Sequence, residues 1–174
     1  MSLKPGARIE IHEERFSSAE AEAATLVSQV TQRDWLRRGL IQPGRNGGRT
    51  AFKGLDLAFL VILRELTHHQ MFVAAAAEIA ALAAPLVMTF AEWASTTPED
   101  APFLGLHGSK VRRFLVVPHD GDAARCDAPA EWFARQDAEG KSASALILDC
   151  RALGQELAQR LPRPLIRVER SVAE

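Results

Sequence analysis

The chain holds 174 residues, 47% hydrophobic and 25% charged, the balance of a protein that buries a core rather than of a disordered one. Its 21 Lys and Arg against 22 Asp and Glu leave a net charge of −1, so overall charge names no partner. Two cysteines, Cys126 and Cys150, are too few for a disulfide scaffold and lack the close spacing of a zinc site.

The N-terminus runs from Lys4-Pro5-Gly6 into charged sequence without an apolar stretch, so no signal peptide is expected. Met71 to Phe90 is broken by Glu78 and Pro85 and is rich in alanine, short of the ~20 strongly apolar residues of a membrane span. A cytoplasmic protein without a membrane partner is the expectation. Charge is nonetheless uneven: Val30 to Lys53 carries Arg33, Arg37, Arg38, Arg45, Arg49 and Lys53 against Asp34 alone. That segment has a net charge of +5 over 24 residues and leaves −6 for the other 150, suggesting an anionic partner met by one face.

In chain order, residues 1–15 form an N-terminal arm in which Ile9 to His12 alternates weakly as a short strand. Ser17 and Glu20 stand at capping-box spacing and start a helix. Ala23, Ala24, Leu26 and Val27 are expected to form its tight apolar face. Ser28 or Thr31 can cap a second helix carrying Trp35 and Leu36, which stops at a left-handed Gly39. The glycines of Gln42 to Thr50 then predict a β-hairpin, flanked by Leu40–Ile41 and Thr50–Phe52.

Asp56 opens a third helix, a further helix spans about 70–83, and Pro85 opens another reaching about Ser95. Residues 97–106, with Pro98 and Pro102, read as a linker. Beyond it, 107–174 is predicted as a small α+β unit for dimerisation or sensing. Its strands are Phe114 to Val117, Ala145 to Leu148 and Leu165 to Val168, its helix is 152–161, and Trp132-Phe133 is expected to fold back onto the sheet. The predicted class is mainly α with a small β component.

Two short helices followed by a glycine-tipped basic hairpin have a physical use. The second helix fits a major groove ~12 Å wide while the hairpin reaches the phosphates beside it. Arg33 and Arg37 are four apart and share a helical face, with Thr31 and Gln32 toward the N-terminus. Arg45 and Arg49 bracket Asn46-Gly47-Gly48, so both are expected to project from the hairpin tip.

Ser17 through about Ala81 resembles the winged helix-turn-helix domain of MerR-like transcriptional regulators. The resemblance rests on Val30-Thr31-Gln32-Arg33-Asp34-Trp35-Leu36-Arg37-Arg38-Gly39-Leu40-Ile41-Gln42-Pro43, then Gly48-Arg49-Thr50-Ala51-Phe52, then Leu55-Asp56-Leu57 and Leu63-Arg64-Glu65-Leu66. It covers roughly 65 residues, with residues 16–96 taken as the DNA-binding domain and its following helices. It implies base reading by the 28–38 helix and phosphate contacts from the 41–53 wing. The candidate DNA-binding residues are Thr31, Gln32, Arg33, Arg37, Arg38, Arg45, Arg49 and Lys53. The family's paired aromatics appear here as Asp34-Trp35, and its wing tyrosine as Phe52.

The expected function is sequence-specific binding of double-stranded DNA by a homodimeric transcriptional regulator. The alternatives are an excisionase-like architectural or recombination accessory protein, or a protein-interaction adaptor acting through 107–174. No enzyme activity, cofactor or metal is expected. His68 and His69 are adjacent on a helix and point ~100° apart, the glycines lack the Lys-Ser/Thr ending of a P-loop, and no nucleophile–base set is evident. Trp35 and Phe52 are expected as core anchors, and the cysteines as small core fillers.

Overall fold

The computed structural model describes residues 7–104, 111–119, 122–140 and 144–172. In chain order it contains β1 (Ala7–Glu13), α1 (Ser18–Thr25), α2 (Gln29–Arg37), β2 (Gly44–Asn46), β3 (Arg49–Ala51), α3 (Gly54–His68) and α4 (Val73–Ser95). A short 3-10 turn at Ala101–Leu104 is followed by β4 (Phe114–Pro118), β5 (Ala124–Cys126), α5 (Pro129–Ala138), β6 (Ala145–Asp149), α6 (Cys150–Arg160) and β7 (Ile166–Val172). The protein is mainly α, with the strands of the described residues in three small antiparallel sheets.

Local chemistry sets the first helices. Ser17 caps α1 by accepting the Glu20 N–H, and Glu20 returns the contact by accepting the Ser17 N–H at 2.7 Å. The buried face of α1 is Ala21, Ala24 and Thr25, with Val27 just beyond, whereas Ala23 and Leu26 are exposed. That corrects the expected apolar face. Leu26 takes the left-handed conformation that turns the chain (φ 59°), which rotates its side chain outward. Ser28, rather than Thr31, caps α2. Gly39 (φ 72°) closes α2, donating to Leu36 O while Leu40 donates to Trp35 O, the paired bonds of a Schellman cap.

The hairpin is shorter than predicted at its first flank. Leu40 completes the helix cap and Ile41 is buried in the core, so β2 begins only at Gly44. Asn46 pairs with Arg49 across Gly47 and Gly48, both at positive φ, the backbone a twisted two-residue hairpin requires. The base of the hairpin is tied to the start of α1 by an isolated bridge in which Phe16 and Phe52 exchange both backbone hydrogen bonds, at 2.9 and 2.8 Å.

The expected helix break at Pro85 does not occur: Val73–Ser95 is one helix with the proline inside it. An interior proline costs about 3 kcal/mol through its lost hydrogen bond and ring clash. Burial offsets that cost here, because Ala83, Ala84, Leu86 and Val87 flank the proline within the core, where α4 packs on α3 and α6. Among the described helices, α4 is long and apolar enough to cross a membrane by length and composition, but one of its faces is occupied by that packing.

Buried packing runs across the expected division into 16–96, a 97–106 linker and 107–174; positions 105–110 lie outside the described residues. One buried cluster runs from Phe16 and Trp35 through Leu63 and Val87 to Leu148, Leu157 and Leu165. Helix α6 packs on α4, α1 and α3, and β7 pairs antiparallel with β1, which contains the short strand expected at Ile9 to His12. The sequence reading missed α5 and β5. Trp132 of α5 does fold back onto the β5-β4-β6 sheet, against Val116 and Cys126.

The α4–α6 contact depends on Gly154. A Cβ there would lie 2.6 Å from Phe90 Cβ and from Val87 O, and 2.8 Å from Ala91 N. Alanine would gain about 1 kcal/mol of helix propensity, but overpacking against backbone outweighs it. Gly154→Ala should lose about 1–3 kcal/mol in a urea-unfolding measurement.

Candidate nucleic-acid interface

The predicted residues separate into structural and available groups. Gln32 belongs to the first. It is 3% exposed and wedged between the helices, where its Nε2 donates to Ser18 O at 3.1 Å and Val27 O at 2.9 Å. Gln32 therefore joins α2 to α1 and cannot reach a base. Thr31 is half-buried, and its backbone and hydroxyl both engage the Ser28 hydroxyl at the α2 cap. Trp35 and Phe52 are core residues as expected, whereas Leu36 is exposed.

Arg33 and Arg37 lie exposed on one face of α2. Arg33 Nε donates to Gln29 O at 3.1 Å, leaving its terminal nitrogens without an acidic partner among the described residues. Arg37, 80% exposed at its side chain, pairs with Asp34 at 2.5 Å, and Arg38 approaches the same carboxylate at 3.5 Å. Asp34, the acid in the basic segment, thus engages two of its cations.

Arg45 and Arg49 are exposed on the hairpin, and neither has an ion pair among the described residues. They do not project together. The register pairs Arg45 with Thr50 and Asn46 with Arg49, which places the two guanidiniums on opposite faces of the ribbon. Lys53 pairs with Glu13 at 2.8 Å, so its charge is committed to β1.

Arg15 is a cation the sequence reading passed over. Its Nη1 lies so close to Gly44 that a Cβ there would meet it at 2.8 Å. With Ser17, Asn46, Arg49 and Thr50 it lines an open cleft of about 480 Å³ between the start of α1 and the hairpin. Its position next to Phe16, whose apolar character could have marked it as an anchor, was the available signal.

Arg163, from the turn after α6, organises the floor of this region. It lies 4.6 Å over the Phe16 ring, pairs with Glu14 at 3.1 Å and with Glu20, and donates to Arg15 O at 2.5 Å. The hydrogen bond from Arg163, helped by the Ser17 backbone, holds the Glu20 carboxyl well below its ordinary range, at about 2. Arg64 of α3 donates to Thr25 O at 2.9 Å, satisfying the end of α1.

The remaining singled-out residues are accounted for structurally. His69 contacts Glu65 at 3.3 Å and its ring meets that of His68 edge-on. Cys126 and Cys150 are buried, which pushes both thiols up, Cys150 to about 11. Asp149 caps α6 and pairs with Arg113, while Asp120 lies outside the described residues. No protein-family model and no curated protein sequence matches this chain.

The Glu20 shift has a signed consequence. A depressed folded pKa contributes stability above the unfolded value of 4.5 that is lost as pH falls toward about 2. Unfolding midpoints followed across that window should fall less steeply in Glu20→Gln than in the parent. At neutral pH, Arg163→Ala should cost about 2 kcal/mol through lost charged hydrogen bonds.

Proposed function

We propose that the chain is a DNA-binding transcriptional regulator of the MerR-like winged helix-turn-helix kind, placing α2 in the major groove and β2–β3 over the flanking backbone. The observation that carries this reading is the set of exposed cations without acidic partners among the described residues, Arg33 on α2 and Arg45 and Arg49 on the hairpin. They sit on two consecutive elements in the order the resemblance implies. Arg37 and Arg38 join them, because an exposed ion pair is worth only about 0–1 kcal/mol and a phosphate can replace Asp34. Arg15 extends the backbone-contacting set into the cleft beside the wing.

A homodimer on a two-fold site is part of the proposal, since one small module buries little surface and gives little specificity. A DNA partner also accounts for the expected cytoplasmic location. Residues 107–174 act in this scheme as a support for the DNA-binding helices, because α6 and Arg163 brace α1 and the wing.

Selection of bound sequences from a randomised DNA pool near physiological salt tests the reading. An enriched palindrome or repeat supports it; salt-sensitive binding without enrichment rejects it. Arg49→Ala should weaken all sequences alike and reduce the slope of log K against log salt by about 0.9. Gln32→Ala should instead lower folding stability by about 1–2 kcal/mol, through the carbonyls it leaves unsatisfied, with that slope unchanged.

A further inference from the structure

The β1–β7 ribbon brings together three side chains that lie far apart in sequence. Glu10 and His12 alternate onto one face of β1, and Glu169 of β7 is the direct partner of Glu10 in the register. His12 Nε2 lies 3.5 Å from Glu10 Oε2 and 3.4 Å from Glu169 Oε2. The three ligand atoms all fall within 4.8 Å of one another.

Two features set this group apart from an ordinary surface ion pair. The His12 side chain is 41% exposed, but its Nε2 atom is shielded from solvent and makes no hydrogen bond among the described residues, so its contacts with the two carboxylates lack hydrogen-bond geometry. The spacing also matches a different partner. Nitrogen and oxygen donors 2.0–2.2 Å from a tetrahedral ion lie ~3.4 Å apart along each edge, the separation His12 Nε2 keeps from both carboxylates.

The surrounding contacts favour the same arrangement. Glu169 presents Oε2 to His12 while Oε1 accepts from Arg167, and Arg167 is itself shared with Glu14 at 2.9 Å. A ligating carboxylate held through its other oxygen is oriented in advance.

We infer that Glu10, His12 and Glu169 form a binding site for a borderline divalent cation of the zinc type, with water completing the coordination. One imidazole and two carboxylates suit Zn²⁺ better than Mg²⁺, which prefers oxygen donors and an octahedron. The ion would bridge the two strands, adding to folding stability by binding only the paired ribbon. This inference is independent of DNA binding.

The test is calorimetric titration of the untagged full chain, stripped of metal by chelation, with zinc sulfate and separately with magnesium chloride. One equivalent of Zn²⁺ should bind with micromolar or tighter affinity, Mg²⁺ should not compete, and saturation should raise Tm by about 5 °C or more. His12→Ala should weaken binding about 100-fold, and Glu169→Gln, which keeps the imidazole, about tenfold or more. A His68→Ala/His69→Ala double variant should bind as the parent does. Co²⁺ in place of Zn²⁺ should give the intense visible bands of a tetrahedral site, absent in His12→Ala. Absence of saturable Zn²⁺ binding, or binding retained in a folded His12→Ala variant, overturns the proposal.

Discussion

The Arg163 guanidinium lies over the ring of Phe16 while Phe16 exchanges both backbone hydrogen bonds with Phe52. This stack of cation, ring and bridge fixes three things at once. The bridge joins the base of the β2–β3 hairpin to the start of α1, the ring fills the core between them, and the guanidinium neutralises Glu14 and Glu20 at the edge. A hairpin of three residues per strand has little stability alone. Its orientation relative to α2 therefore depends on what holds Phe52. The exposed arginines of the ribbon are aimed by a residue far removed in sequence.

The legible parts of the fold were those governed by short-range chemistry. Ser17 with Glu20, Ser28 as a cap, Gly39 as a stop and the Gly47-Gly48 turn each act within a few residues, so their consequences could be read locally. The errors came where distant packing overrode a local signal. Pro85 is a strong break in an isolated helix, but buried neighbours on both sides carry α4 through it. Gln32 reads as a base-contacting residue on a basic helix, yet two carbonyls between the helices claim its amide. Leu26 reads as core by composition and is turned outward by its left-handed backbone.

Charge was legible in amount but not in disposition. The basic segment was plain from composition, while the structure shows how unevenly its cations are engaged. Lys53 is held by Glu13, Arg37 and Arg38 share Asp34, and Arg33, Arg45 and Arg49 lack an acidic partner among the described residues. Arg15 adds to that basic surface from outside the segment, because the Phe16–Phe52 bridge brings the end of β1 against Gly44. The pairing of β1 with β7 left no trace in local pattern, since neither short strand announces its partner. The Glu10–His12–Glu169 group inherits that invisibility.

The contact between Glu20 and Arg163 spans 143 positions, and this separation has a consequence for the order of assembly. During synthesis α1 through α4 leave the ribosome well before α6 and the turn that carries Arg163. Domains generally fold as they emerge, and contacts between distant positions form late because closing a long loop costs entropy. The nascent helices and hairpin therefore wait without their clamp until the segment that carries Arg163 has been made. The hairpin acquires its final orientation only after that segment has emerged, so a shorter nascent polypeptide carries the same cations before they are fixed relative to α2.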